Sequence, residues 1–247
     1  MITIRTGALI TAAVGALSIA SLSPAAMIDL TAAGSTATAN GAIYQTTTDQ
    51  STGTGVIQPF LRLQANGTEQ GYNTSGSPLP FDDKPGPWTH DLQASDILGV
   101  TMNGVLYAAF LLDINESNSP ANRLLSLDAV QIYTSPTPSQ TTTDVPSLGT
   151  LQYDLDSGTD NWIVLDYSNN HGSGSGDLMV FVPASSFSGV GASDYVYLYT
   201  TLGLHNASDA GFEEWSNFGD THIIPVPTPG GFALLGLGGL LLVRRRR

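Results

Sequence analysis

The stretch YDLDSGTDNW, residues 153–162, sets three carboxylates close together in the chain: Asp154, Asp156 and Asp160. Such a group suits a hard cation, calcium above all, which takes oxygen ligands from side chains, main-chain carbonyls and water. The spacing is not that of an EF-hand. Gly158 stands where a ligand belongs, Thr159 where the glycine belongs, and Leu165 where the closing glutamate belongs. Side chains two apart on a strand share a face, so Asp154 and Asp156 could serve one calcium site on a sheet. The simpler alternative is an acidic hairpin turn. A second carboxylate set, Asp113, Asn115, Glu116 and Asp128, falls at the ends of successive predicted strands. His90, His171, His205 and His222 are scattered, and no pair has the spacing of a local zinc motif.

Glu213 and Glu214 in GFEEW invite a glycosidase reading. Adjacent residues of a strand point to opposite faces, which makes them a poor acid/base pair with each other. Solvent-facing carboxylates are the simpler expectation. A hydrolase would need at least two of Asp113, Asp128, Asp166, His171, Glu213 and Glu214 in one cleft. HGSGSGD (171–177) has Gly174 where a nucleophile elbow needs serine, and it lacks the lysine of a phosphate loop. Its glycines read as a flexible or tightly turned connection. YVYLY aligns Tyr195, Tyr197 and Tyr199 on one face of a strand, with Val196 and Leu198 on the other. Exposed, that row could stack on sugar rings; covered, it is core. Asn66, Asn73, Asn115 and Asn206 begin Asn-x-Ser/Thr triplets and are expected in loops.

The elements that must position these groups are strands. Apolar runs of strand length recur at 56–64, 104–115, 124–133, 148–156, 161–167, 177–183 and 194–203. Between them, 66–80, 115–122, 134–147 and 169–177 carry the glycine, proline, serine and asparagine of loops. Residues 183–187 have room for one helical turn. In 105–112 both alternating faces are apolar, which predicts a central strand covered on each side. The expected fold is all-β, an antiparallel β-sandwich of jelly-roll type spanning residues 27–220. Cysteine is absent, so disulfides and thiolate metal sites are excluded.

Charge is unevenly placed. Between the terminal segments only Arg62, Lys84 and Arg123 oppose 21 carboxylates, a net −18. That field repels phosphate backbones, which argues against a nucleic-acid partner and leaves divalent cations compatible. Residues 1–26 follow the order of a secretory signal. Arg5 comes first, then an apolar helix-forming stretch to about Leu22, then small residues, with cleavage after Ala25 or Ala26. At the other end a proline-rich linker, 221–229, leads to an apolar helix-forming run and four arginines, 230–247. Fourteen helical residues reach only ~21 Å against ~30 Å of hydrocarbon core. The arginines would hold the cytoplasmic side while the body lies outside.

Residues 226–247 resemble the PEP-CTERM sorting signal of exported bacterial proteins. The matching positions are Val226, Pro227, Thr228, Pro229 and Gly230, the apolar run, and Arg244, Arg245, Arg246 and Arg247. Thr228 stands where the commonest motif has glutamate. The resemblance implies export, transient membrane anchoring by the C-terminal helix, processing by an exosortase-type membrane enzyme, and residence at the cell surface or in an exopolysaccharide matrix. Residues 41–220 also resemble an uncharacterised group of exported domains with varied C-terminal anchors, and that group brings no activity with it. The expectation is therefore a non-enzymatic surface or matrix protein with no cofactor. The alternatives are a glycan-binding module, calcium-assisted or not, and a secreted hydrolase of unrecognised type.

Overall fold

The computed structural model describes residues 25–47, 57–170, 172, 174, 176–209 and 211–224. The predicted signal helix and C-terminal apolar helix, the sorting motif and His171 lie outside these residues. The described chain is all-β. Its strands are β1 (Ala26–Asp29), β2 (Thr36–Ala39), β3 (Ala42–Thr46), β4 (Pro59–Leu63), β5 (Asn66–Gly67), β6 (Glu69–Tyr72) and β7 (Leu92–Gln93). They continue with β8 (Leu98–Met102), β9 (Val105–Asp113), β10 (Leu124–Ser135), β11 (Thr150–Asp154), β12 (Asn161–Asp166) and β13 (Leu178–Pro183). The last are β14 (Tyr195–Leu202), β15 (Ser208–Asp209), β16 (Glu213–Phe218) and β17 (Thr221–His222). The predicted helical turn at 183–187 is a short 3-10 segment, Ala184–Phe187.

Two main sheets form a β-sandwich-like body. One runs β1-β12-β10-β14-β6, with β11 beside β10 and β7 beside β14; the other runs β17-β8-β9-β13-β3-β2, with β16 joining β9 to β4. Pairing is antiparallel except between β1 and β12, which run parallel. A parallel neighbour is open to β1 because the chain crosses from it to the other sheet, so no hairpin dictates its direction. One apolar core joins both sheets, with Tyr44, Phe60, Phe110, Leu112, Val180 and Trp215 meeting Leu125, Leu127, Val130, Ile132 and Leu198.

The two-faced apolar pattern of β9 has a direct structural reading. Ala108, Phe110 and Leu112 enter this core, while Ala109 and Leu111 join Met179 and Phe181 in a second cluster on the outer face. The predicted loop 66–80 contains strands β5 and β6 instead. Gly71 in β6 is required there because a Cβ would lie 1.8 Å from the Asp83 carboxylate. Asn73 is buried rather than a surface loop residue. Its side chain donates to the Val196 carbonyl (2.8 Å) and accepts from the Leu198 amide (2.7 Å). It thereby supplies the hydrogen bonds of β14 between the stretches paired with β6 and β7.

Candidate functional site

The acidic segment 154–160 is not a hairpin turn. β11 and β12 both run antiparallel to β10, along different parts of it. They are two pieces of one interrupted strand, and the segment between them bulges out while Leu155 stays fully buried. The carboxylates are spent on that bulge: Asp154 accepts from the Asp156 amide and Asp156 from the Asn161 amide, each at 3.0 Å. Asp160 is exposed. Burial pushes Asp156 up to about 6, helped by Asp154, Asp160 and Asp128.

The second predicted set is divided between sheets. Asp113 ends β9, and its Oδ2 accepts from the Gly174 amide at 2.5 Å. Gly172, Gly174 and Gly176 all have positive φ, and the Gly172 and Gly174 amides donate to Tyr167 Oη and Asp113 Oδ2. Asp128 lies in the other sheet, at a register shift of β10. It accepts from Ser126 Oγ (2.8 Å) and the Leu204 amide (2.7 Å), and it pairs with His205 Nδ1 at 2.7 Å. The His205 ring in turn stacks on Trp162 with centroids 4.0 Å apart. Asp128 thus fastens the turn after β14. Asp166 pairs with Arg123 at 3.3 Å and accepts from the Ser168 amide.

The tyrosine row is covered. Tyr197 has no exposed surface, and Tyr195 and Tyr199 are half-buried. The loop after β10 folds back over them, held by Tyr197 Oη donating to the Thr137 carbonyl (2.7 Å) and Tyr72 Oη to the Thr142 carbonyl (2.9 Å). Tyr72, Tyr133, Leu148 and Tyr197 form a small core of their own beneath it. A flat stacking platform formed by all three rings is therefore ruled out. Alternation alone could not reveal a covering loop whose sequence is polar.

Glu213 and Glu214 do face opposite ways, but neither is a surface carboxylate. Glu214 is opposite Arg62 on β4 and Asp113 on β9, and it forms an ion pair with Arg62. Arg62 also sits 3.9 Å from the Trp88 ring centroid and 4.9 Å from that of Phe212. Trp88 and Phe212 remain 41% and 37% exposed. Trp88 lines one open cleft, and a second adjoins it at His90. One, of about 310 Å³, is lined by Ile57, Pro59, Pro87 and His90; the other, of about 330 Å³, by Thr74, Ser75, Thr89 and His90.

Glu213 points inward, toward a carboxylate cluster that sequence reading missed. In register it opposes Leu63, and Glu69 of the other sheet opposes Leu202; both leucines belong to the main core. The Glu69 and Glu213 carboxyl groups meet between the sheets, with Glu116 near Glu213 and Asp209 near Glu116. Glu69 Oε2 accepts from the Ala65 amide (2.9 Å), and Glu116 Oε2 from the Asp209 amide (2.8 Å). Glu69 Oε1, Glu116 Oε1 and both oxygens of Glu213 receive no hydrogen bond of full geometry. Burial drives Glu213 well above the ordinary carboxylate range, with Glu69 and Glu116 adding to it, and pushes Glu116 up to about 8. The chain closes tightly around this corner, since a Cβ on Gly211 would lie 1.6 Å from the Asn115 carbonyl oxygen. Glu69 and Glu213 are 144 residues apart in the chain, and neither belongs to a local motif.

No family model, no curated protein and no solved structure matches this chain. Among the described residues, no helix is long and apolar enough to cross a membrane. Nor do three or more histidine, aspartate or glutamate side chains there already stand in an arrangement that holds a metal ion.

Proposed function

We propose that the protein is exported and delivered to the cell surface or extracellular matrix through a C-terminal signal of the PEP-CTERM type. Its β-sandwich body, of jelly-roll type, acts there without catalysis. The observation that carries this reading is how closely the motif follows the last core residues in the chain. Ile223 and Ile224 pack against the main core, and Pro225 alone separates them from the Val226–Pro229 motif. Prolines at alternate positions favour extended backbone and remove every second main-chain donor, properties that suit recognition by a processing enzyme. The start fits as well. β1 begins at Ala26, immediately after the first predicted cleavage point, and the Ala26 amide donates to the Asp160 carbonyl at 2.7 Å. Mass spectrometry of protein recovered from the envelope and medium of an exporting host is expected to find Ala26 or Met27 at the N-terminus. It is also expected to find Arg244–Arg247 removed. Recovery of only the untrimmed chain, in the cytosol, overturns the proposal.

A second reading, glycan binding, rests on a different surface from the tyrosine row. Trp88, partly exposed, lines one cleft with Pro87 and His90, and a neighbouring cleft that shares His90 carries the hydroxyls of Thr74, Ser75 and Thr89. An indole face suits the C–H face of a sugar ring, and the polar rim suits its hydroxyls. Affinity electrophoresis in acidic exopolysaccharide gels is expected to retard the protein, and Trp88→Ala is expected to abolish the retardation. Equal migration of both forms in every glycan tested removes this reading.

A further inference from the structure

The corner between the sheets where Glu69, Glu213 and Glu116 meet is the strongest unexplained feature of the molecule. Glu213 is fully enclosed, and neither of its oxygens has a hydrogen bond of full geometry; the Glu69 carboxyl and the Asn115 main chain are the polar groups beside it. Four carboxylate oxygens from three side chains are left without a well-formed hydrogen bond in one place, with only looser polar contacts to Ser208 and the Asn115 main chain. Leaving such groups uncompensated is costly, because burial removes the water that would solvate them. Two remedies exist, a proton or a cation. A proton shared between Glu69 and Glu213 satisfies two of the four oxygens, and the other two then require a second proton, on Glu116. A calcium ion takes six to eight oxygen ligands at about 2.3–2.6 Å, carboxylates among them.

We propose that Glu69 and Glu213 chelate a calcium ion between the two sheets, with Glu116 drawn in as a third carboxylate ligand and main-chain carbonyls and water completing the shell. The site joins three segments that are remote in sequence: the start of β6, the chain following β9 and the start of β16. An ion there ties one sheet to the other in a chain that has no cysteine to form a disulfide. Lys84, the nearest cation acting on Glu69, favours its charged form, and Asp82 opposes it. Arg62 is committed to Glu214 on the opposite face of β16. Asp209, only partly covered, leads from solvent to Glu116. The net −18 of the body raises the local concentration of divalent cations.

The test uses the full-length chain, purified in detergent and stripped with EDTA, with calcium chloride as the probe. Isothermal titration calorimetry at pH 7.5 is expected to show a site with Kd in the range of roughly 10⁻⁴ M or tighter. Thermal melting is expected to shift upward by about 5–10 °C at roughly 100-fold excess over Kd. Magnesium, which demands a small octahedral shell, is expected to give neither effect. Glu213→Gln should lose the heat and the calcium-dependent shift while melting no lower than the wild type in EDTA, because it replaces a carboxyl that burial holds neutral with a neutral amide of the same shape. Glu116→Gln should weaken Kd about tenfold, which keeps the test alive if Glu213→Gln does not fold. Asp154→Asn, remote from the corner, should respond like the wild type. If the wild type shows no heat and melts identically with calcium and with EDTA, Glu69 and Glu213 merely share a proton and the proposal fails. It fails equally if Glu213→Gln keeps the full calcium response.

Discussion

Trp215→Ala is expected to lower folding stability by about 3–5 kcal/mol, measured by urea denaturation at fixed pH and fixed calcium. Trp215 is the largest side chain with no exposed surface. It sits mid-way along β16, opposite Leu61 of β4 and Leu112 of β9, so its indole fills the space behind the lane that joins those two strands. Truncation leaves a cavity that neighbours drawn from three strands cannot close together. The Nε1 of Trp215 receives no hydrogen-bond partner, so the loss is one of packing and apolar area rather than of polar contacts. Trp215→Phe is accordingly expected to lose less than half as much. A deficit below about 1 kcal/mol for the alanine variant would show that this face of β16 is not the packed core described above.

The second large effect concerns pH. In EDTA, stability is expected to fall steadily from about pH 5 to about pH 8.5, the reverse of acid denaturation. Burial pushes Asp83 and Glu116 each up to about 8, and it drives Glu213 well above its ordinary value. Unfolded, these carboxyls release their protons near pH 4. Between the two values the folded chain holds protons that the unfolded chain has lost, so the slope of stability against pH is negative. The contribution is complete below the unfolded pKa and is gone once the pH passes the folded one. Each such group adds up to about 1.4 kcal/mol per pH unit inside its window. The neighbours acting on them are Asp82 on Asp83, Asp209 on Glu116, and Glu69 and Glu116 on Glu213. Asp83 is the clean probe, because neither of its oxygens receives a hydrogen bond that meets full geometric criteria. Asp83→Asn should flatten part of the slope and raise the urea midpoint above the wild type at pH 8.5. A wild-type midpoint that stays level or climbs across this range would contradict the assignment of these groups as protonated in the fold.

The fold was legible in the sequence wherever a strand was apolar and long. β9, β12, β13 and β14 fall within runs whose alternation and turn boundaries are local properties of the chain, and β10 overruns its own by two residues, to Ser135. β6 was hidden because its sequence, EQGY, is polar and carries a glycine; only the partner strand β14 and the crowding of Asp83 over Gly71 make it a strand. The interruption between β11 and β12 resembled a hairpin because both arrangements place acidic turn residues between two strands. Which one forms depends on whether the second strand reverses, and that is settled by pairing with β10.

The sequence by itself determined the all-β class, the absence of disulfides, the acidic body and the opposite facing of Glu213 and Glu214. All four follow from residue identity or from the two-residue period of a strand. Tertiary structure alone decided that the tyrosine row is roofed by a loop, that Asp128 fastens a turn, and that Glu69, Glu116 and Glu213 share one dry corner. Burial and proximity across sheets depend on which distant segments meet, and the spacing of residues along a single strand carries no record of that.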